Sequence, residues 1–117
     1  MKTTRIEAAP RLRPMEGVDM VIIGSGEKVT FIKITAQAGA SFPEHSHPNE
    51  QIGICMQGGG TLVSGGDTVK VTSGATWTIP SNELHSFVAT ADEATILYEA
   101  WSPPREDYIA MVEKKSS

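Results

Sequence analysis

Cysteine, aromatic residues and excess positive charge are all scarce in this chain of 117 residues. The one thiol, Cys55, cannot close an internal disulfide, and no basic-then-apolar leader opens the sequence, so a reducing, cytoplasmic setting is expected. Lys and Arg number 10 against 14 Asp and Glu, a net charge of -4, which argues against a nucleic-acid partner or an anionic membrane surface. The longest uncharged run, Gln51 to Gly66, is broken by glycines and falls short of the roughly 18 apolar residues of a membrane span. No internal repeat, low-complexity tract or interdomain linker is present. The length is that of one domain, large enough to bury a core without a disulfide or a structural metal.

What the chain does have is punctuation. Eleven glycines and 7 prolines divide it into short segments rich in Val, Ile, Thr and aromatics, the rhythm of an all-β protein. Strands are expected near Val18 to Ile23, Lys28 to Ala36, Gln51 to Met56, Thr61 to Ser64, Thr68 to Thr72, Ala75 to Ile79, His85 to Thr90 and Thr95 to Trp101. Gly65-Gly66-Asp67 and Ala91-Asp92-Glu93 supply turns between hairpin partners. Residues 1–15, with Pro10, Pro14 and three arginines, lack periodicity and read as an arm, loose or laid on a partner subunit. Beyond Pro103-Pro104, Tyr108, Ile109 and Val112 fall at helical spacing between early acids and late Lys114 and Lys115, so a short terminal helix is expected. The expected layout is arm 1–15, barrel 16–103 and helical tail 104–117. A homodimer is expected too, because the arm invites strand exchange and sheet edges need cover.

All three histidines lie in two patterned segments, Gly39 to Gln51 and Gly74 to His85. On an extended chain alternate side chains share a face, so His45 and His47 project together. The same parity brings Gln51 to that face and turns Glu50 away, although the Pro48-Asn49 step leaves Glu50 as a competitor. If a third strand delivers His85 to the same interior, three imidazoles and one oxygen donor surround a point suited to Zn, Ni, Mn or Fe. A lone histidine is more often structural; here all three sit beside small and turn residues at fixed offsets.

A second cluster closes the barrel sequence. Along Thr95 to Trp101, Leu97, Glu99 and Trp101 share one face. Two prolines then stiffen the path to Arg105, a residue suited to a bidentate grip on a carboxylate. The plainer alternative makes Glu99 solvated and pairs Arg105 with Glu106 or Asp107 at the surface. Trp77 and Phe87 read as core or cavity wall, and Cys55 as a small buried hydrophobe.

These segments resemble the cupins, small double-stranded β-helix (jelly-roll) barrels. Gly39, His45, His47, Gln51 and Gly58 follow the first cupin motif with Gln in the acidic position, and Gly74, Pro80, Asn82 and His85 follow the second. The resemblance implies that His45, His47, Gln51 and His85 hold one divalent metal inside the barrel. A neutral amide in place of a carboxylate leaves that metal a stronger Lewis acid, held less tightly.

The His-Ser-His-Pro-x-Glu-Gln segment and the Ser-Pro-Pro-Arg-Glu-Asp-Tyr tail are further similar to small cupins of pectin degradation, which open 4,5-unsaturated monouronates to a linear keto sugar acid. That resemblance implies Glu99 and Arg105 as catalytic groups, and Trp101, Arg105, Trp77 and Phe87 around a carboxylate-bearing sugar. Glu99 and Trp101 stand where that group carries Asp and Phe. The competing classes are an Fe-dependent oxygenase of a small organic substrate and a non-catalytic metal or small-molecule binding module.

Overall fold

Two antiparallel sheets face one another across a single core. The structure, a computed structural model, describes the backbone of residues 1–116 and the side chains of residues 1–112. After a 3-10 turn at Ile6–Ala8 the strands are β1 Arg11–Met15, β2 Val18–Ser25, β3 Thr30–Ala36, β4 Ser41–His45, β5 Glu50–Gln57, β6 Gly59–Ser64, β7 Asp67–Thr72, β8 Thr76–Ile79, β9 His85–Ala89 and β10 Thr95–Ser102. Helix α1, Glu106–Ser116, follows. The larger sheet runs β1-β2-β3-β10-β5-β8 and the smaller one β4-β9-β6-β7. Crossovers such as β3 beside β10 make this a jelly roll, the all-β architecture expected from the sequence.

Alternation builds the core. On β3, Thr30, Ile32, Ile34 and Ala36 are all buried, and on β10 Thr95, Leu97, Glu99 and Trp101 are buried in the same way. Each fully buried Ile or Leu side chain contributes about 1.5–3 kcal/mol relative to exposure. Facing residues from β1, β2, β4 and β9, among them Leu12, Met20, Phe42 and Phe87, complete the cluster. Phe42 and Phe87 meet edge-to-face at 5.9 Å.

Two strands depart from the sequence expectation, and both contain proline. Residues 11–15, read as part of an arm, form β1, which pairs with β2 of the same chain and buries Leu12. Residues 41–45 form β4, whose register is irregular between Phe42 and His45, around Pro43. Both are edge strands, where a missing N–H costs no ladder hydrogen bond. Helix α1 opens on Glu106 and Asp107 in its first turn, as the dipole favours. The side chains of Lys114 and Lys115 lie outside the described residues.

Candidate metal centre and the cavity around it

Strand pairing brings the histidines together. His45 closes β4 directly opposite His85, the first residue of β9. His47 lies just past β4, in a loop held to the second motif where the Asn82 N–H donates to the His47 carbonyl at 2.8 Å. Asn82 makes that turn with a φ of 64°, a left-handed conformation that asparagine tolerates. The three rings have centroids 4.3–5.6 Å apart, and one nitrogen from each lies within 4.8 Å of the others.

Backbone carbonyls fix the orientation of all three rings. Nδ1 of His45, His47 and His85 lies 2.8, 2.9 and 2.8 Å from the oxygens of Pro43, Asn49 and Glu83. A carbonyl only accepts, so each Nδ1 is the N–H donor and each Nε2 offers a lone pair, the outer-shell arrangement of metal-ligating histidines. Burial, reinforced by the Arg105 charge and the neighbouring histidines, holds His47 below the ordinary histidine range. Burial likewise lowers His85, with His45 and Arg105 adding to the effect. Neutral imidazole is the form that binds a metal.

Gln51 lies beside the three rings. Its amide nitrogen donates to the Glu99 carboxyl, which turns its oxygen toward His47, 2.9 Å from Nε2. Three convergent Nε2 lone pairs with a side-chain oxygen beside them fit a divalent metal. Glu50, the competitor, is exposed and its register partner is Ser102 at the end of β10.

The same cavity continues to Glu99, Trp77, Trp101 and Arg105, with an empty space of about 580 Å³ counted out to its open mouth. Glu99, Gly53 and Trp77 occupy one cross-strand row on β10, β5 and β8. A Cβ on Gly53 would collide with the Trp77 indole, so the glycine makes room for that ring. Glu99 is 6% exposed, and burial pushes its carboxyl up to about 7. The Trp77 N–H, the Arg105 charge and the Gln51 amide oppose that rise without cancelling it. The buried Trp101 indole N–H beside Glu99 opposes the same rise. Phe87 forms part of the wall.

Arg105 is 6% exposed, with its guanidinium carbon 4.4 Å from the Trp101 ring centroid and 4.1 Å from that of Tyr108. Its Nε and Nη2 donate to the two carboxylate oxygens of Asp107 at 3.0 and 2.9 Å. The ion pair that the plainer sequence reading allowed is therefore present, yet the arginine is buried at the cavity. Sequence reasoning missed Asn49, Thr30 and Tyr108 as parts of this site and offered Asp107 only as a surface partner of Arg105. Asn49 carried the one available signal, a polar residue between His47 and Gln51.

Residues 32–101 match the Cupin domain family, more than half of the chain. The chain belongs to the cupins. Among curated proteins this cupin is 33% identical over 67 residues to H2HPP isomerase of Bacillus subtilis, a match covering 57% of this chain and 28% of that protein. It thus spans little more than a quarter of that relative. Among solved structures it resembles an RmlC-like cupin of Shewanella frigidimarina, with a TM-score of 0.82 and 23% identity over 90% of this chain and 93% of that one. KdgF of Halomonas sp. superimposes with a TM-score of 0.76 and 21% identity over 84% and 89% of the two chains. Both structural likenesses show the fold. No helix among the described residues is long and apolar enough to cross a membrane.

Proposed function

We propose that this cupin is a metal-dependent enzyme that opens and tautomerises 4,5-unsaturated monouronates. The observation that carries the reading is one cavity holding three Nε2 lone pairs, a buried carboxyl with a pKa of about 7 and a buried arginine. The names of two relatives fit it: an isomerase is redox-neutral, as this reaction is, and KdgF shares the fold.

His45, His47 and His85, with Gln51, would hold the metal, which supplies Lewis-acid polarisation of a substrate oxygen when bound. Arg105 binds the substrate carboxylate as a charge-assisted donor. Glu99 populates both protonation states near neutral pH and so can take a proton from one substrate position and return it at another. Gln51 holds Oε2 of Glu99, which fixes the carboxyl in the cavity. The walls formed by Trp77, Trp101 and Phe87 exclude water around that transfer.

The test pairs metal analysis of the purified protein and a His45→Ala/His47→Ala variant with an ultraviolet assay for loss of the unsaturated uronate. About one metal per chain, absent from the variant, and absorbance loss only with the native protein are the expected results. Metal without turnover would sink the reaction and leave the oxygenase or the binding module.

A homodimer in a cytoplasmic setting belongs to the same proposal. Phe31, Ile52 and Met56 stand 42, 53 and 54% exposed on the outer face of the larger sheet, where a second copy would cover them. Sedimentation at micromolar concentration checks it, and a monomer mass counts against it.

A further inference from the structure

We propose that Asn49 is a positioning residue that ties the histidine loop to the arginine segment and holds the metal half and the anion half of the cavity in one register. The role given to Arg105 rests on the function proposed above; the tie itself stands on the hydrogen bonds of Asn49. This residue is 5% exposed and lies midway between His47 and Gln51. Its backbone oxygen accepts the His47 Nδ1–H at 2.9 Å, and its side-chain nitrogen donates to the carbonyls of both Pro103 and Pro104.

Those two carbonyls immediately precede Arg105, whose own N–H is anchored on the Thr30 hydroxyl of β3 at 3.1 Å. The segment that carries the arginine is thus pinned from β3 on one side and from the histidine loop on the other. Beyond that anchor the guanidinium is shaped by its neighbours. The Trp101 and Tyr108 centroids are 5.4 Å apart, too close to sandwich it, so both rings back it from one side. Asp107, with a side chain 63% exposed, takes the Nε and Nη2 edge toward solvent. Arg105 lines the cavity it shares with the histidines, where its charge is available to an anionic ligand.

The chemistry at position 49 needs an amide. One NH₂ group carries two N–H bonds, one for each proline carbonyl, while the same residue's backbone oxygen orients a metal-ligating ring. Aspartate has the same shape and no donor, and would set its oxygens against two carbonyl oxygens. Alanine removes the donors without that repulsion. The Pro104 carbonyl keeps the Glu106 N–H as a donor, so the loss falls on the Pro103 carbonyl and on the tie itself, and either change frees the Pro103-Pro104 segment from the histidine loop.

The experiment treats the zinc-loaded native protein, Asn49→Asp and Asn49→Ala with an arginine-specific dicarbonyl, well below each melting point, and maps modification by mass spectrometry. Exposed Arg5 and Arg13 serve as internal controls. In parallel, calorimetry measures galacturonate binding, alone and in an Arg105→Gln background. The expected result is Arg105 modification faster by about tenfold in both variants with the controls unchanged, and galacturonate affinity weaker by about tenfold only where Arg105 is present. A variant that merely melts earlier while Arg105 stays protected and affinity is unchanged overturns the proposal. If Asn49→Asp does not fold, Asn49→Ala decides alone. Should the native protein bind no galacturonate, the carboxylate role of Arg105 fails, and Arg105 protection by itself decides the role of Asn49.

Discussion

The side-chain oxygen of Gln51 lies 2.9 Å from Nε2 of His47, while its amide nitrogen is hydrogen-bonded to the Glu99 carboxyl. This contact joins the histidine cluster to the buried Glu99 carboxyl. Replacing Gln51 with leucine keeps the volume but removes both the oxygen and the donor. Metal affinity is expected to fall by about 10- to 100-fold, read by competition with a chromophoric chelator. An unchanged affinity would remove Gln51 from the metal centre.

Chelation should destabilise the native protein and leave the His45→Ala/His47→Ala variant unmoved. A ligand that binds only the folded state, present at a hundred times its Kd, adds about 2.7 kcal/mol. For a domain of this size that is a rise in Tm of roughly ten degrees on adding Zn²⁺ to stripped protein, measured by thermal melts. Equal responses from the two proteins would place the ion elsewhere.

Glu99 gives the stripped protein a specific pH dependence. Its folded pKa of about 7 is above its unfolded value of 4.5, so between those limits the folded chain keeps a proton the unfolded chain has lost. Its share of stability is full below pH 4.5 and is lost as pH rises to 7, on the order of 3 kcal/mol. His47 and His85, both lowered, contribute the opposite slope below their ordinary 6.5. The Glu99 part is therefore the difference between native and Glu99→Gln proteins in urea unfolding at pH 5 and pH 7.5. Parallel profiles would mean that Glu99 is ionised throughout.

Gly53 is expected to be intolerant of a single methyl group. In Gly53→Ala the new Cβ meets the Trp77 indole, and overpacking of this kind costs about 1–3 kcal/mol. Combining it with Trp77→Leu should recover part of the loss, a non-additivity visible in denaturant midpoints. Additive effects would show that Trp77 does not rest on Gly53.

Much of this molecule was legible from local pattern. Alternation over Thr95–Trp101 placed Leu97, Glu99 and Trp101 on one face, and those three are buried. The spacing of the histidine motifs marked the residues that cluster, because strand parity is a local rule. The strands β1 and β4 were not legible, since proline marks a break in sequence and is harmless only once the strand is known to be an edge.

The amino-acid sequence by itself determined one all-β domain, its main strands, its terminal helix and which histidines could meet. Tertiary structure alone decided that Gln51 bridges His47 and Glu99, that Glu99 holds its proton to about 7, and that Arg105 is buried at the cavity while paired with Asp107. The physical reason is that periodicity belongs to a single strand, whereas desolvation and charge pairing depend on what distant strands bring alongside.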